Sequence, residues 1–362
     1  MQHRKRLPVA LLVAALTAVS LGAPGLVLAQ ATIVIDVLDG PDEGFNDPGA
    51  PDPTSAAGGN TGATLGAQRF IAFGHAADIW AGLLDSSQAI VVGATFDPQP
   101  CDATTADLGA AGTNTVHRDF TGAPVVNTWY PAALANALAG ADLAPGLADI
   151  DAFFNSAIDD ATCAFPKVWY YGLDGSPPAG TIDFVSVVLH ELGHGLGFQT
   201  FVDLGTGAKL NNFDDVFMLW LENHSTGELY PEMTDGARVS ASVDSGNLHW
   251  IGPDVVALSD GLTLGRHPSG HVEMYAPDPQ NPGSSISHFS TSLSPDELME
   301  PSFTAAIHDV GLAAALMQDL GWSASSLPRT TIGQTAGAPL SDGGGGGNCF
   351  IAAMTGSLDI AR

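Results

Sequence analysis

Positive charge is what this chain has least of. Eleven Lys and Arg stand against 39 Asp and Glu, a formal net charge of −28 at pH 7. That balance argues against nucleic acid and anionic membrane surfaces as partners, because both are held by cationic patches. Cysteine is also scarce, three in 362 residues, too few for a disulfide-dense scaffold. Beyond the first 29 residues no apolar run is long enough to span a bilayer, so no integral membrane span is expected in the mature chain. The chain has no G-x-S-x-G elbow and no P-loop, which leaves serine-hydrolase and nucleotide chemistry without their signatures.

The length allows one large domain or two smaller ones, each with its own core. Residues 1–29 read as a secretory signal peptide. His3, Arg4, Lys5 and Arg6 form a positive start, an apolar run extends from about Leu7 to Leu21, and Val27-Leu28-Ala29 is a small-residue cleavage site. The expected location is therefore secreted, periplasmic or cell-surface. Removing this leader takes away three Lys and Arg and no acids, which deepens the acidic excess. A solvated acidic surface explains that excess, and calcium held by Asp-rich loops is compatible with it. Cys101 and Cys163 are expected to pair; the other role open to Cys101 is as a latency switch over a metal.

Ala31 to Leu38 alternates as a strand, and the Pro/Gly/Asp-rich stretch from Asp39 to Asn60 reads as a loop. Thr64 to Asp85 has helical periodicity, with Leu65, Phe70, Phe73, Ala76, Ile79, Trp80 and Leu83 on its expected buried face. Ala89 to Phe96 is β-rich, and 101–127 reads as strands and loops. Tyr130 to Leu143 reads as a helix with Pro131 near its start. Leu147 to Ser156 fits strand or helix equally. Lys167 to Leu173 has high β-propensity and reads equally as an ordinary core strand or as a free strand edge on which an extended substrate could pair. Thr304 to Leu320 reads as a last helix before Gly321-Trp322. The Ser/Pro/Gly-rich residues 326–348 read as a linker, and 349–362 as a tail.

The chemistry is concentrated in Thr181 to Phe198, TIDFVSVVLHELGHGLGF. It contains His190-Glu191-Leu192-Gly193-His194, an H-E-x-x-H pattern. Residues four apart lie on one helix face, so His190 and His194 can share a metal ion such as zinc, with Glu191 beside it as a base and not a ligand. Thr181 is a plausible N-cap, Asp183 suits the helix dipole, and Val185, Val188, Leu189 and Leu192 form an apolar stripe. Gly197 can turn the chain out of the helix. Two core histidines on a buried helix are the plainer reading, which the apolar run before the motif and the glycines after it disfavour.

A zinc site needs a third ligand. The compact spacing would place it at position 200, which is Thr200. The histidines farther on are His224, His249, His267, His271, His288 and His308. The helix motif H-E-L-G-H-G-L-G-F, the segment Ser287-His288-Phe289, the turn Asp296-Glu297-Leu298-Met299-Glu300-Pro301 and the closing Gln318-Asp319-Leu320-Gly321-Trp322 together resemble the leishmanolysin-like metzincins. The likeness extends weakly over about Thr64 to Trp322. In that family an insertion separates the glycine turn from the third histidine, and a methionine turn follows. The resemblance implies that His288 is the third ligand and that Met299 is the apolar floor under the metal, with His249 and His271 as the alternatives to His288. The cysteine-rich framework of the eukaryotic members and a pro-segment cysteine are missing. Separately, Cys349-Phe350-Ile351-Ala352-Ala353 after a glycine run resembles tails of exported bacterial proteins, so 349–362 is read either as a sorting segment or as a free end.

These features lead to an expected α+β, two-subdomain metzincin-like domain over 30–325, divided at about 198 into 30–198 and 199–325, with the motif helix at the cleft. Its expected role is a zinc metalloendopeptidase acting on protein or peptide substrates, with one catalytic Zn2+. The alternatives are an exported binding protein with a structural zinc site and a zinc hydrolase of some other bond.

Overall fold

The computed structural model describes residues 29–160, 163–323, 349–353 and 359–360. The leader expected over 1–29 lies outside the described residues apart from Ala29, and the linker expected over 326–348 lies outside them. The fold is α+β, with seven α-helices and several sheets among the described residues. No helix among them is long and apolar enough to cross a membrane.

The largest sheet runs in the order Thr32–Val37, Ala89–Asp97, Ile150–Asn155, Ala106–Thr113, Cys349–Ala353. Its first three strands are parallel, Ala106–Thr113 runs antiparallel to Ile150–Asn155, and the tail strand pairs parallel with Ala106–Thr113. The stretch that fits strand or helix by sequence is thus a strand. Neighbours on both sides complete its ladder, and that pairing is information its own six residues do not contain.

The long helix Leu65–Ala81 begins where the Thr64 side chain accepts from the Ala67 N–H, a regular N-cap. Phe73, Ala76 and Trp80 are buried as expected, but Phe70 is 42% exposed and Arg69 takes a core position in its place. Arg69 is satisfied there by Tyr171 Oη at 3.0 Å, the Gly44 carbonyl at 2.8 Å and Asp159 at 3.0 Å, and it lies 4.3 Å from the Phe96 ring centroid. A buried cation with its donors satisfied overrides the simple apolar periodicity.

The expected loop 39–60 contains the short helix Pro53–Ala57. Its acids serve the backbone: Asp52 caps that helix, Asp47 accepts from the Gly49 N–H, and Asp39 accepts from the Phe45 and Phe96 N–H groups. The helix expected from Tyr130 spans Ala132–Ala139, because Thr128–Pro131 is claimed by a sheet and Gly140 ends the helix at φ +64°. Thr128–Pro131 pairs with Asp214–Asp215, joining the halves on either side of residue 198, and one hydrophobic core runs through both. A second, antiparallel sheet has the order Glu228–Leu229, Leu221–Asn223, Leu248–Trp250, Val272–Glu273.

The last helix is shorter than expected. It covers Gly311–Leu320, while 304–310 is non-helical and crosses the start of the motif helix, where the Ile307 N–H donates to Ser186 Oγ and His308 Nε2 meets Asp183 Oδ2 at 2.8 Å. Cys101 and Cys163 form a disulfide, so the Cys101 sulfur is not free to act as a latency ligand.

Candidate active site

The motif helix runs from Phe184 to Leu196, and every residue in it is buried. Burial all round, beyond the one apolar stripe, follows from its position between the strand Ala106–Thr113, the strand Ile150–Asn155 and the long helix. Asp183, and not Thr181, is the N-cap: its carboxylate accepts from the Ser186 N–H at 2.8 Å and the Ser186 hydroxyl at 2.7 Å. Thr181 belongs to a short strand, Thr181–Asp183, paired with Val168–Tyr170. An Asp side chain at the positive helix end is favoured over a hydroxyl two residues earlier.

Two indoles fasten the helix to its surroundings. Trp80 Nε1–H donates to the Leu189 carbonyl at 2.9 Å. Trp322 Nε1–H donates to the Leu196 carbonyl at 3.0 Å, supplying a partner to one of the terminal carbonyls that a helix leaves open. Gly197 then turns the chain at φ +134°, and the Gly197 and Phe198 N–H groups bond back to the Gly193 carbonyl. A side chain at Gly197 would be strained by that φ and would press on Leu320 and Pro131.

His190, His194 and His288 converge. Their Nε2 atoms are 3.0 Å (190–194), 3.1 Å (190–288) and 3.2 Å (194–288) apart. Each Nδ1–H donates to a backbone carbonyl: His190 to Leu298 at 2.7 Å, His194 to Phe198 at 2.8 Å and His288 to Ser284 at 2.8 Å. These bonds fix the tautomer, so all three Nε2 atoms carry lone pairs pointing at one centre. Burial pushes the three imidazoles below their ordinary range, His194 to about 4, which keeps them neutral. Three buried acceptors facing one another have no proton to share. Three convergent neutral imidazole acceptors are a donor set that would hold zinc, so the residues present suit that ion.

Glu191 is fully buried beside this centre, and neither carboxylate oxygen has a hydrogen-bond partner of good geometry. Burial drives its pKa well above the ordinary carboxyl range, and the Ala111 backbone only partly opposes this. A cation among the imidazoles is the charge that would bring it back down. The strand facing Glu191 is Ala106–Thr113, while the β-rich Lys167–Leu173 stretch contributes the short strand Val168–Tyr170, paired with Thr181–Asp183. The run of small residues Gly109-Ala110-Ala111 is the sequence signal for this close approach: a Cβ on Gly109 would lie 3.3 Å from Glu191 Cγ.

Met299 is fully buried beneath the helix. A Cβ built on Gly193 would stand 2.7 Å from Met299 Sδ, so the glycine inside the motif is required by the methionine below it. The remaining histidines fall elsewhere. His308 pairs with Asp183, while His224, His249, His267 and His271 gather on the second sheet. His249 and His271 are therefore not part of the triad. Thr200 supports the site indirectly: its hydroxyl donates to Asp215, and its N–H donates to Ser287 Oγ beside His288. A crevice of about 20 Å³, room for about one water, opens beside His190 between Ser186, Leu298, Phe303 and Ile307. Among the described residues, the triad and a Glu222–His224–His271 group are the two clusters of three or more donors close enough to share an ion.

No family model matches the chain, and no curated protein matches it.

Proposed function

We propose that the protein is an exported zinc endopeptidase of metzincin-like, two-subdomain architecture, with His190, His194 and His288 as zinc ligands and Glu191 as its general base. The observation that carries this reading is the convergence of three tautomer-fixed Nε2 lone pairs beside a buried carboxylate with no hydrogen-bond partner of good geometry. When bound, zinc would polarise the scissile carbonyl and acidify the attacking water. Glu191 takes the proton of that water and delivers it to the leaving amine. The Leu298, Phe198 and Ser284 carbonyls hold the three rings in position, and Met299 closes the apolar floor. The leader supports export.

One observation favours the reading of a structural zinc in a non-catalytic protein: all four side chains are at most 1% exposed. Against it, a structural site gains nothing from an unpartnered buried carboxylate, which costs stability unless it has work to do. Hydrolysis of an unfolded protein substrate by the mature chain, compared with Glu191→Ala, decides between them. The peptidase reading requires activity that disappears in the variant while its zinc content stays unchanged. Zinc present in both proteins with no hydrolysis in either would establish the structural site.

A further inference from the structure

A second cluster of imidazoles lies on the antiparallel sheet, built from residues the peptidase reading does not use. Glu222 and His224 are two apart at the end of the strand Leu221–Asn223, so they face the same way. His249 stands directly opposite Glu222 on the neighbouring strand. His267 and His271 come from a tight turn, closed by the His267 N–H to His271 carbonyl bond at 2.9 Å and the Gly270 N–H to His267 carbonyl bond at 2.8 Å. The turn brings both rings over the sheet.

The donor atoms are close. His224 Nε2 and His271 Nδ1 are 2.9 Å apart, and Glu222 Oε2 is 3.6 Å from each. The His249 ring stacks on His224 at a centroid distance of 4.0 Å, and His267 lies 4.5 Å from His224. His249 Nδ1–H donates to the Asn247 carbonyl, which leaves its Nε2 as an acceptor. Four of the chain's eleven histidines thus surround one carboxylate. Unlike the triad, the group is within reach of solvent: the side chains of Glu222, His224 and His271 are 24%, 15% and 24% exposed.

Stacked imidazoles this close repel one another when protonated. Two imidazoles and a carboxylate suit a borderline divalent ion and are a poor set for calcium or magnesium, which take oxygen donors.

We propose that Glu222, His224 and His271 form a second zinc site, with His249 or His267 completing it, and that its role is structural. The site clips the His267–His271 turn to the sheet. The chain leaving that turn, Val272–Glu273, continues to Met274, which bridges to Phe289, and to Tyr275, whose N–H donates to the His288 carbonyl. Zinc bound here therefore stiffens the segment that presents His288.

The test is zinc titration of the purified mature chain, read by metal content after gel filtration and by thermal melting. It uses wild type, His271→Asn, the double variant Glu222→Gln/His224→Gln, and a His190→Ala/His194→Ala control. Far-UV circular dichroism confirms that each is folded. We expect two zinc ions per wild-type chain, one in each cluster variant, and one in the control. Filling of the sheet cluster raises the melting temperature of wild type and of the control, and this increment is missing from the cluster variants. One ion in wild type and in both cluster variants, absent from the control, overturns the proposal. One ion in wild type that is lost only from the cluster variants keeps it and removes the triad as the zinc site, so the two readings fail separately. If either cluster variant is unfolded without added metal, the other gives the decision, since His271 lies in a turn and the Gln pair replaces two partly exposed side chains with uncharged polar ones.

Discussion

The two histidine clusters show two ways of building a metal site. The triad is fully buried, and each ring is held by a backbone carbonyl on its far nitrogen. Its geometry is set before any ion arrives, and its neighbours leave little freedom to adjust. The sheet cluster is only partly buried, and apart from His249 its rings are positioned mostly by one another and by a turn. Preorganisation of the first kind serves chemistry, in which a ring displaced by an ångström costs rate. The second kind suffices for a clip. The difference also separates Glu191 from Glu222: one is buried without a partner, the other lies within 3.6 Å of two imidazoles.

The largest effect expected concerns that unpartnered carboxylate. Glu191→Ala should lower turnover by about 10²–10⁴-fold, the range for a positioned proton-transfer group, with zinc retained. An empty triad in this variant would show that Glu191 helps hold the ion, and the contrast between the two glutamates would collapse.

Next comes access. The tail strand Cys349–Ala353 pairs along Ala106–Thr113 and touches the motif helix, so it occupies the sheet edge beside Glu191. An extended substrate pairing there would compete with it. Deleting 349–362 is expected to raise peptide hydrolysis several-fold and to speed removal of zinc from the triad by a chelator. Unchanged rates on both counts would mean that the tail does not control access to the triad.

The tight packing of the triad has its own test. Gly193→Ala puts a methyl group into Met299, an overpacking that costs about 1–3 kcal/mol by chemical denaturation. Met299→Ala in the same chain should recover part of that loss, because it removes the clashing group. If the double variant is no more stable than the sum of its parts allows, Met299 is not what requires the glycine.

The smallest effect is one of pH. Burial raises the Glu300 carboxyl to about 8 and that of Glu297 to about 7, from an ordinary 4.5. Between about 4.5 and 8 the folded protein therefore binds more protons than the unfolded chain. The stability contributed by this turn is full below that window and is lost as pH rises through it. Glu300→Gln keeps the acceptor for the Glu297 N–H and should flatten the fall in melting temperature from pH 5 to pH 8. A slope equal to wild type would show that Glu300 is already ionised in the folded state.

Much of the candidate site can be read from local spacing. H-E-x-x-H on a helix brings His190 and His194 together because helical geometry alone sets the i, i+4 distance. The convergence of His288 with them, 94 residues beyond His194, is a matter of tertiary structure. Spacing offered six histidines, and only the resemblance to a known family singled one out. The N-cap was misplaced by two residues because Thr181 and Asp183 are both good caps, and the choice fell to the strand that claims Thr181.

The chain by itself determined the elements whose information is local: the motif helix, the long helix under Thr64, the glycine turn at 197 and the strand Ala89–Asp97. Tertiary structure decided whatever depends on partners distant in sequence. It set the strand identity of Ile150–Asn155, the burial of Arg69 in place of Phe70, the small-residue strand over Glu191, and the second cluster drawn from two strands and a turn. The physical reason is the same in each case. A helix closes its own hydrogen bonds within four residues, while a strand, a buried charge or a multidentate site is completed only by groups that the fold brings to it.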